Sequence, residues 1–151
     1  MIRKLNLQHE VEAQHLLDLQ QKSYTVEARL IGYHDIPPLH DSLERLQQCT
    51  ETFYGYFVKR QCLVGAISYK REGRVLDIHR LMVHPNHFRK GIAASLLQFV
   101  ERAEDGVDTI TVATGTKNKP AIHLYRRFGF RETENRELTP GISMTFFEKT
   151  C

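Results

Sequence analysis

The spacing of apolar positions changes character along the chain. From His9 to Ser23, Ala13, Leu16, Leu17 and Gln20 recur at helical spacing, which predicts a helix. A second helical stretch covers Val26 to Ile31, and a third runs from about Leu39 to Cys49 with Asp41 or Ser42 as cap. A short strand, Ile2 to Leu5, precedes them. After residue 50 the pattern turns to strands: Phe53 to Lys59, Cys62 to Lys70 and Val75 to Val83, with tight turns between them. Gly91 to Glu104 returns to a 3.6 period through Ile92, Leu96, Phe99, Val100 and Ala103. Thr109 to Ala113 is a β-branched strand, and Pro120 to Phe128 a short helix begun by proline and stopped at Gly129. Arg131 to Leu138 and Ser143 to Glu148 are the last two strands.

This order predicts an α+β (mixed α/β) fold in one domain over residues 1–151, with a sheet that is antiparallel first and partly parallel later. The loop Gly32 to Pro38 is too short to link domains. Composition adds exclusions. A 41% hydrophobic content supports a real core. No stretch has the apolar length of a membrane span, and no apolar segment follows the N-terminal Met1-Ile2-Arg3-Lys4-Leu5, so the reading is a cytoplasmic protein without a membrane partner. Cys49, Cys62 and Cys151 are odd in number and scattered, which excludes a disulfide framework and a cysteine zinc site. The net charge of +3 is too mild to call for nucleic acid.

The segment with chemistry begins Leu81-Met82-Val83-His84-Pro85 and continues Asn86-His87-Phe88-Arg89-Lys90-Gly91-Ile92-Ala93. A strand ends, a turn follows, and a helix starts at a glycine. The first N–H groups of a helix lack internal partners and its dipole makes that end positive, so an anion such as a pyrophosphate is stabilised there. Arg89 and Lys90 add charge, and Gly91 and Ala93 keep the backbone accessible. The spacing fits neither the Walker A loop nor the G-x-G-x-x-G fingerprint.

It resembles the cofactor motif of the GNAT acetyltransferases, [Q/R]-x-x-G-x-[G/A] after a V-x-P strand end, with Val83, Pro85, Gly91 and Ala93 on the family positions. Phe88 departs from it, standing where the family has Gln or Arg. A second segment, Asn118 to Phe130, resembles the family's N-x-x-A-x-x-x-Y-x-x-x-G-F at Asn118, Ala121, Tyr125, Gly129 and Phe130. The resemblance implies a GNAT-like central mixed sheet flanked by helices, and acetyl-CoA as cosubstrate. It also implies cofactor contacts from Leu81, Met82, Val83, Phe88, Arg89, Lys90, Gly91, Ile92, Ala93, Asn118 and Tyr125. Tyr125 would protonate the departing thiolate. The family also places a strand bulge near Met82 and Val83, beyond which face parity shifts.

The implied reaction is direct attack of a primary amine on the thioester in a ternary complex. An alkylamine with a pKa of about 10.4 must lose a proton first, which calls for a base or a water relay. Strand parity puts Asp77 and His79 on one face with Val75, Leu81 and Val83. By resemblance, Asp77 stands where histone acetyltransferases carry a catalytic glutamate, and His79 where serotonin N-acetyltransferase carries a histidine. Either is a candidate base; they could equally form a satisfied polar patch or hold the acceptor's ammonium, and two such neighbours share a water more readily than they bond. Glu27, Tyr33, His34 and Asp35 are candidates for the acceptor wall. His84 and His87 lack a third ligand, so no metal is expected. The expected partner is a small-molecule or peptide amine, and homodimers are common in the family. The alternatives are a non-catalytic acyl-CoA-binding or sensing module, and a protein (N-terminal or lysine) acetyltransferase.

Overall fold

A computed structural model describes residues 1–151, except for the side chain of Arg60. The elements are β1 (Ile2–Lys4), α1 (Glu10–Ile31), α2 (Leu43–Gln48), β2 (Thr52–Val58), β3 (Cys62–Glu72), β4 (Val75–Val83), α3 (Ile92–Ala103), β5 (Thr109–Gly115), α4 (Lys119–Arg127), β6 (Arg131–Thr139) and β7 (Ile142–Thr150). Seven strands make one sheet in the order β1-β2-β3-β4-β5-β7-β6. Every pair is antiparallel except β4–β5, as the mixed-sheet expectation required.

Helices cover both faces. On one, Ile92, Leu96, Leu97 and Val100 of α3 and Ile122 and Tyr125 of α4 pack on Val64, Ile67, Tyr69, Leu76 and Ile78. Gly65 lets α3 come close, because a Cβ there would lie 2.6 Å from Ile92 Cγ2. On the other face, Leu16, Leu19 and Ala28 of α1 and Leu46 of α2 pack on Phe53, Phe57, Ala66 and Met82.

The first fifty residues differ from their sequence pattern. The two predicted helical stretches up to Ile31 are one helix of 22 residues. Tyr24, Ala28 and Ile31 extend the buried stripe of Leu16 and Gln20, so burial carries the helix through Ser23-Tyr24-Thr25. It stops at Gly32, whose φ of +71° permits a left-handed cap with its N–H on the Ala28 carbonyl. The stretch Leu39 to Cys49 is not one helix: Pro37–His40 is a 3₁₀ turn, and α2 starts at Leu43 with Ser42 Oγ accepting from the Arg45 N–H at 3.1 Å. Asp41 is not the cap, because its carboxylate turns inward to Arg80.

That arginine explains a second difference. The β3–β4 register jumps from Ser68↔Arg80 to Tyr69↔Ile78, so the bulge lies at His79 rather than near Met82 and Val83. Parity therefore changes within the strand. Leu76 and Ile78, then Leu81 and Val83, pack with the α3 face, whereas Met82 packs with the α1 face. Leu81 and Val83 thus do not share a face with Asp77 and His79. The bulge turns Arg80 beneath α1. Its guanidinium meets Asp41 Oδ2 at 2.7 Å, Glu51 Oε1 at 3.1 Å and Gln20 Oε1 at 2.9 Å, and stacks on Phe53. Ser68 donates to Glu51 at 2.6 Å, and Gln20 Nε2 donates to the Pro38 carbonyl and to Asp41. One buried cation thus fastens α1, the α2 approach and the sheet. Removing it leaves two largely buried carboxylates unpaired, which costs about 3–5 kcal/mol. Arg80→Ala is expected to lose that much in urea unfolding; a loss below about 1 kcal/mol would show the network to be dispensable.

Candidate functional site

β4 and β5 pair only at Val75↔Thr109, Leu76↔Ile110 and Asp77↔Thr111. Beyond that point, Ile78–Val83 stays paired with β3 and Val112–Gly115 with β7 but not with each other, and a groove opens between them. Thr111 Oγ1 donates to Asp77 Oδ1 at 2.6 Å and closes its apex. An opened parallel pair leaves backbone groups without strand partners, and these need other partners or water. Two on β4 are met by α1: the Leu81 N–H donates to the Tyr24 hydroxyl at 3.3 Å, and the Val83 N–H to Ser23 Oγ at 3.2 Å.

The second half of α1 spans the groove. One turn past Ser23 and Tyr24, Glu27 reaches the other wall, where Asn118 Nδ2 donates to its Oε1 at 2.8 Å. One turn further, Ile31 packs against the end of β5. Gly115 permits this, since a Cβ there would lie 2.5 Å from Ile31 Cγ2. Ser23, Tyr24, Glu27 and Ile31 thus tie both splayed strands to one helix.

Asn118 is buried and does three things. Its Oδ1 accepts from the Ala121 N–H and caps α4, and its Nδ2 donates to Glu27 and to Thr114. Two turns along the same helix face, Tyr125 is 4% exposed and packs on Phe130 and Phe147. Its hydroxyl makes no hydrogen bond with the other described residues, yet no buried side-chain polar atom among them lacks a partner, so the hydroxyl keeps some contact with solvent. The same reasoning applies to Glu27 Oε2. Burial pushes the Tyr125 and Tyr24 hydroxyls well above the usual phenol range, and the charge of Glu27 adds to both. Burial also raises the Glu27 carboxyl, against a smaller lowering by the Asn118 hydrogen bond.

The candidates on β4 meet each other directly. His79 Nε2 lies 3.1 Å from Asp77 Oδ2, closer than a shared water allows, because the bulge turns the imidazole toward its neighbour. His79 Nδ1 lies 3.6 Å from Glu51 Oε2. With Lys70, Glu72 and Val75, Asp77 and His79 line an open cavity of about 370 Å³. Of the acceptor-wall candidates, only Glu27 reaches the groove. Tyr33 packs against the α1-side core, His34 is exposed, and Asp35 pairs with His40 at the surface. No group of three or more metal-ligating side chains occurs among the described residues; His84 Nδ1 accepts from the Asn86 N–H instead.

Past Val83, Pro85–His87 form a 3₁₀ turn, and Phe88, Arg89 and Lys90 are exposed. Gly91 is the N-cap of α3 at φ +76°, rather than its first helical residue, and Arg89 takes φ +63°. Ser95 N–H is the first to bond back into the helix, to the Gly91 carbonyl, so the N–H groups of Ile92, Ala93 and Ala94 remain without helical partners. Sequence reasoning named residues on both sides of the groove. It missed Ser23, Tyr24, Arg80 and Glu51. The first two carried a signal: with Gln20 and Glu27 they place hydroxyl, amide and carboxyl groups on a helix stripe otherwise filled by Leu16, Ala28 and Ile31.

Among the described residues, no helix is long and apolar enough to cross a membrane. The structure resembles the PaiA N-acetyltransferase of Thermoplasma acidophilum in complex with coenzyme A, at a TM-score of 0.79 and 19% identity over 100% of this chain and 98% of that one. It also resembles the ribosomal-protein-S18-alanine N-acetyltransferase of Escherichia coli, at a TM-score of 0.78 and 17% identity over 99% and 92%. In sequence it is 37% identical over 147 residues to the UPF0157 protein YqkA of Bacillus subtilis (strain 168); the match covers 97% of this chain but 43% of that relative, so the chain spans less than half its length. The acetyltransferase (GNAT) family matches residues 13–130, which include the groove, both motifs and Tyr125, and the chain belongs to that family.

Proposed function

We propose that this chain transfers the acetyl group of acetyl-CoA to a primary amine by direct attack in a ternary complex. The observation that carries the reading is the splay of β4 from β5, together with the free N–H groups at the start of α3 and a Tyr125 hydroxyl that has no hydrogen-bond partner among the described residues yet is not sealed from solvent. The arrangement fits the cosubstrate. The N–H groups from Arg89 to Ala93 and the dipole of α3 suit a pyrophosphate, with Arg89 and Lys90 adding charge. The N–H groups of Leu81 and Val83 suit the amide carbonyls of a pantetheine arm, since the hydroxyls now holding them can yield to a stronger acceptor. Met82 and Ile92 are buried supports of these segments, and Asn118 fixes the far wall.

The neutral amine attacks the acetyl carbonyl carbon, the C–N bond forms, and the C–S bond breaks. Tyr125, protonated at neutral pH as an ordinary phenol is, gives its proton to the departing thiolate. His79, braced by Asp77, removes a proton from the incoming ammonium and passes it to solvent through the open cavity. The acceptor belongs to the small-molecule or peptide amines.

The decisive assay is thiol release from acetyl-CoA with spermidine, kanamycin, tyramine and short peptides bearing a free α-amino group or a lysine. Release with none of them, alongside intact acetyl-CoA binding, would favour an acyl-CoA-sensing module. Tyr125→Phe is expected to lower kcat by about 10²-fold or more, with the acetyl-CoA Kd within about twofold; unchanged turnover removes the acid role. Phe88 is 42% exposed and offers no donor to a phosphate. Phe88→Gln is expected to tighten acetyl-CoA binding about threefold to tenfold, about 1 kcal/mol, in calorimetry. Unchanged binding would show that the backbone alone holds the pyrophosphate.

A further inference from the structure

Among the enclosed carboxylates of the described residues, Glu51 and Glu27 are treated differently. Glu51 is surrounded: Ser68 and Arg80 bond it, with Cys49 and His79 beside it. Glu27 is held at one oxygen only, by the neutral amide of Asn118 at the start of α4, and its other oxygen keeps some contact with solvent. No cationic side chain among the described residues bonds it. The titratable groups facing it are Tyr24 on its own helix and Tyr125 on α4; Arg80 of β4 acts on Tyr24 and is committed to Asp41 and Glu51. A carboxylate kept only to strap α1 to α4 would gain from a second partner, because an uncompensated enclosed charge is costly. An asparagine or glutamine would provide the strap without that cost.

The proton count of the reaction gives the free oxygen a task. A primary ammonium loses two protons on becoming an amide. The first leaves before attack, and His79 with Asp77 stands at an open cavity from which it can reach solvent. The second leaves the nitrogen after the C–N bond has formed, beside the breaking C–S bond and Tyr125. We infer that Glu27 is the general base for this second proton and works as a pair with Tyr125, an inference that rests on the acetyl-transfer reading above. The nitrogen's proton passes to Glu27 Oε2 as the C–S bond breaks and Tyr125 protonates the thiolate. Glu27 then returns the proton to the Tyr125 phenolate. The products are the acetylated amine, the thiol of CoA and the one proton released through His79, and both side chains regain their starting states. The raised carboxyl pKa fits a group that must briefly hold a proton at neutral pH.

Glu27→Gln tests this cleanly, because a glutamine Oε1 still accepts from Asn118 and keeps the strap. The probe is acetyl-CoA with whichever amine of the panel above the wild type acetylates. The expected result is a kcat lowered about 10²-fold to 10³-fold, with the amine KM and the acetyl-CoA Kd within about threefold. A kcat within about threefold of wild type overturns the base role while leaving acetyl transfer intact. A wild type that acetylates no amine overturns the transfer reading, and the base role with it. Stability supplies a readout that needs no acceptor. A carboxyl raised in the folded state binds its proton more tightly there than in the unfolded chain, so its contribution to stability is lost as pH rises from the ordinary Glu value through the folded one. Glu27→Gln should therefore have the higher Tm at about pH 8, and the difference should close toward about pH 4. Titration of the Glu27 ¹³Cδ resonance should give a midpoint above the usual carboxylate value of about 4.3. A midpoint at or below it, with no pH-dependent Tm difference, overturns the inference.

Discussion

The rest of the molecule depends on two parallel strands that stop pairing. β4 and β5 exchange backbone contacts only around Leu76 and then separate, which in an ordinary sheet would strand a row of polar groups. The fold meets this with a helix laid across the opening. Ser23 and Tyr24 take the N–H groups of Val83 and Leu81, Glu27 takes the amide of Asn118, and Ile31 packs against Gly115. Side-chain hydroxyls are weaker holders than a strand carbonyl, so the same contacts that satisfy the groove leave it available to a ligand. The splay persists because the bulge at His79 bends β4 and because Arg80, turned beneath α1 by that bulge, is anchored by Asp41, Glu51 and Gln20.

How much of this could be read from the residues follows from how local each feature is. α3, β5 and α4 were legible because period, caps and glycine positions agreed with one another; Ala121, Leu124, Tyr125 and Phe128 marked the face of α4, and Pro120 and Gly129 its ends. The mixed sheet was legible from element order. The continuity of α1 was not, because Ser23-Tyr24-Thr25 is weak in helix propensity, and only the burial of Tyr24 and Ile31 against a distant strand holds it. The bulge left no trace either. His79 and Arg80 are both polar, so the alternation of β4 looks unbroken in either register, and the apparent face of Asp77, His79 and Leu81 was wrong beyond His79. Direct contact of His79 with Asp77 has the same origin.

The site residues divide in the same way. Phe88 to Ala93, Asn118 and Tyr125 sit in contiguous segments, and a contiguous segment can be recognised. The wall contributed by α1 is assembled from separate turns of one helix meeting two strands, so no local pattern announces it. Of Glu27, Tyr33, His34 and Asp35, helix geometry separates the first from the others. Glu27 lies on the buried stripe with Tyr24 and Ile31, while the rest follow the Gly32 cap and turn to the surface or the far side of the core.

Glu51 and Glu27 show how one fold uses enclosed negative charge in two ways. Burial pushes the Glu51 carboxyl up, but Ser68, Cys49, Arg80 and His79 together outweigh it and hold the group below the ordinary range. Its stability contribution is present above the unfolded pKa and lost as pH falls through the folded one. Glu27 runs the other way: burial outweighs the one hydrogen bond from Asn118, and ionising it opposes folding. A chain selected for stability alone would pair both. The pairing is concentrated at Arg80, where it fixes the geometry of β4, and is withheld at Glu27, which Asn118 bonds and whose charge acts on Tyr24 and Tyr125. Ionising Glu27 therefore costs stability that no cation among the described residues offsets, and the proposed base role would account for that cost.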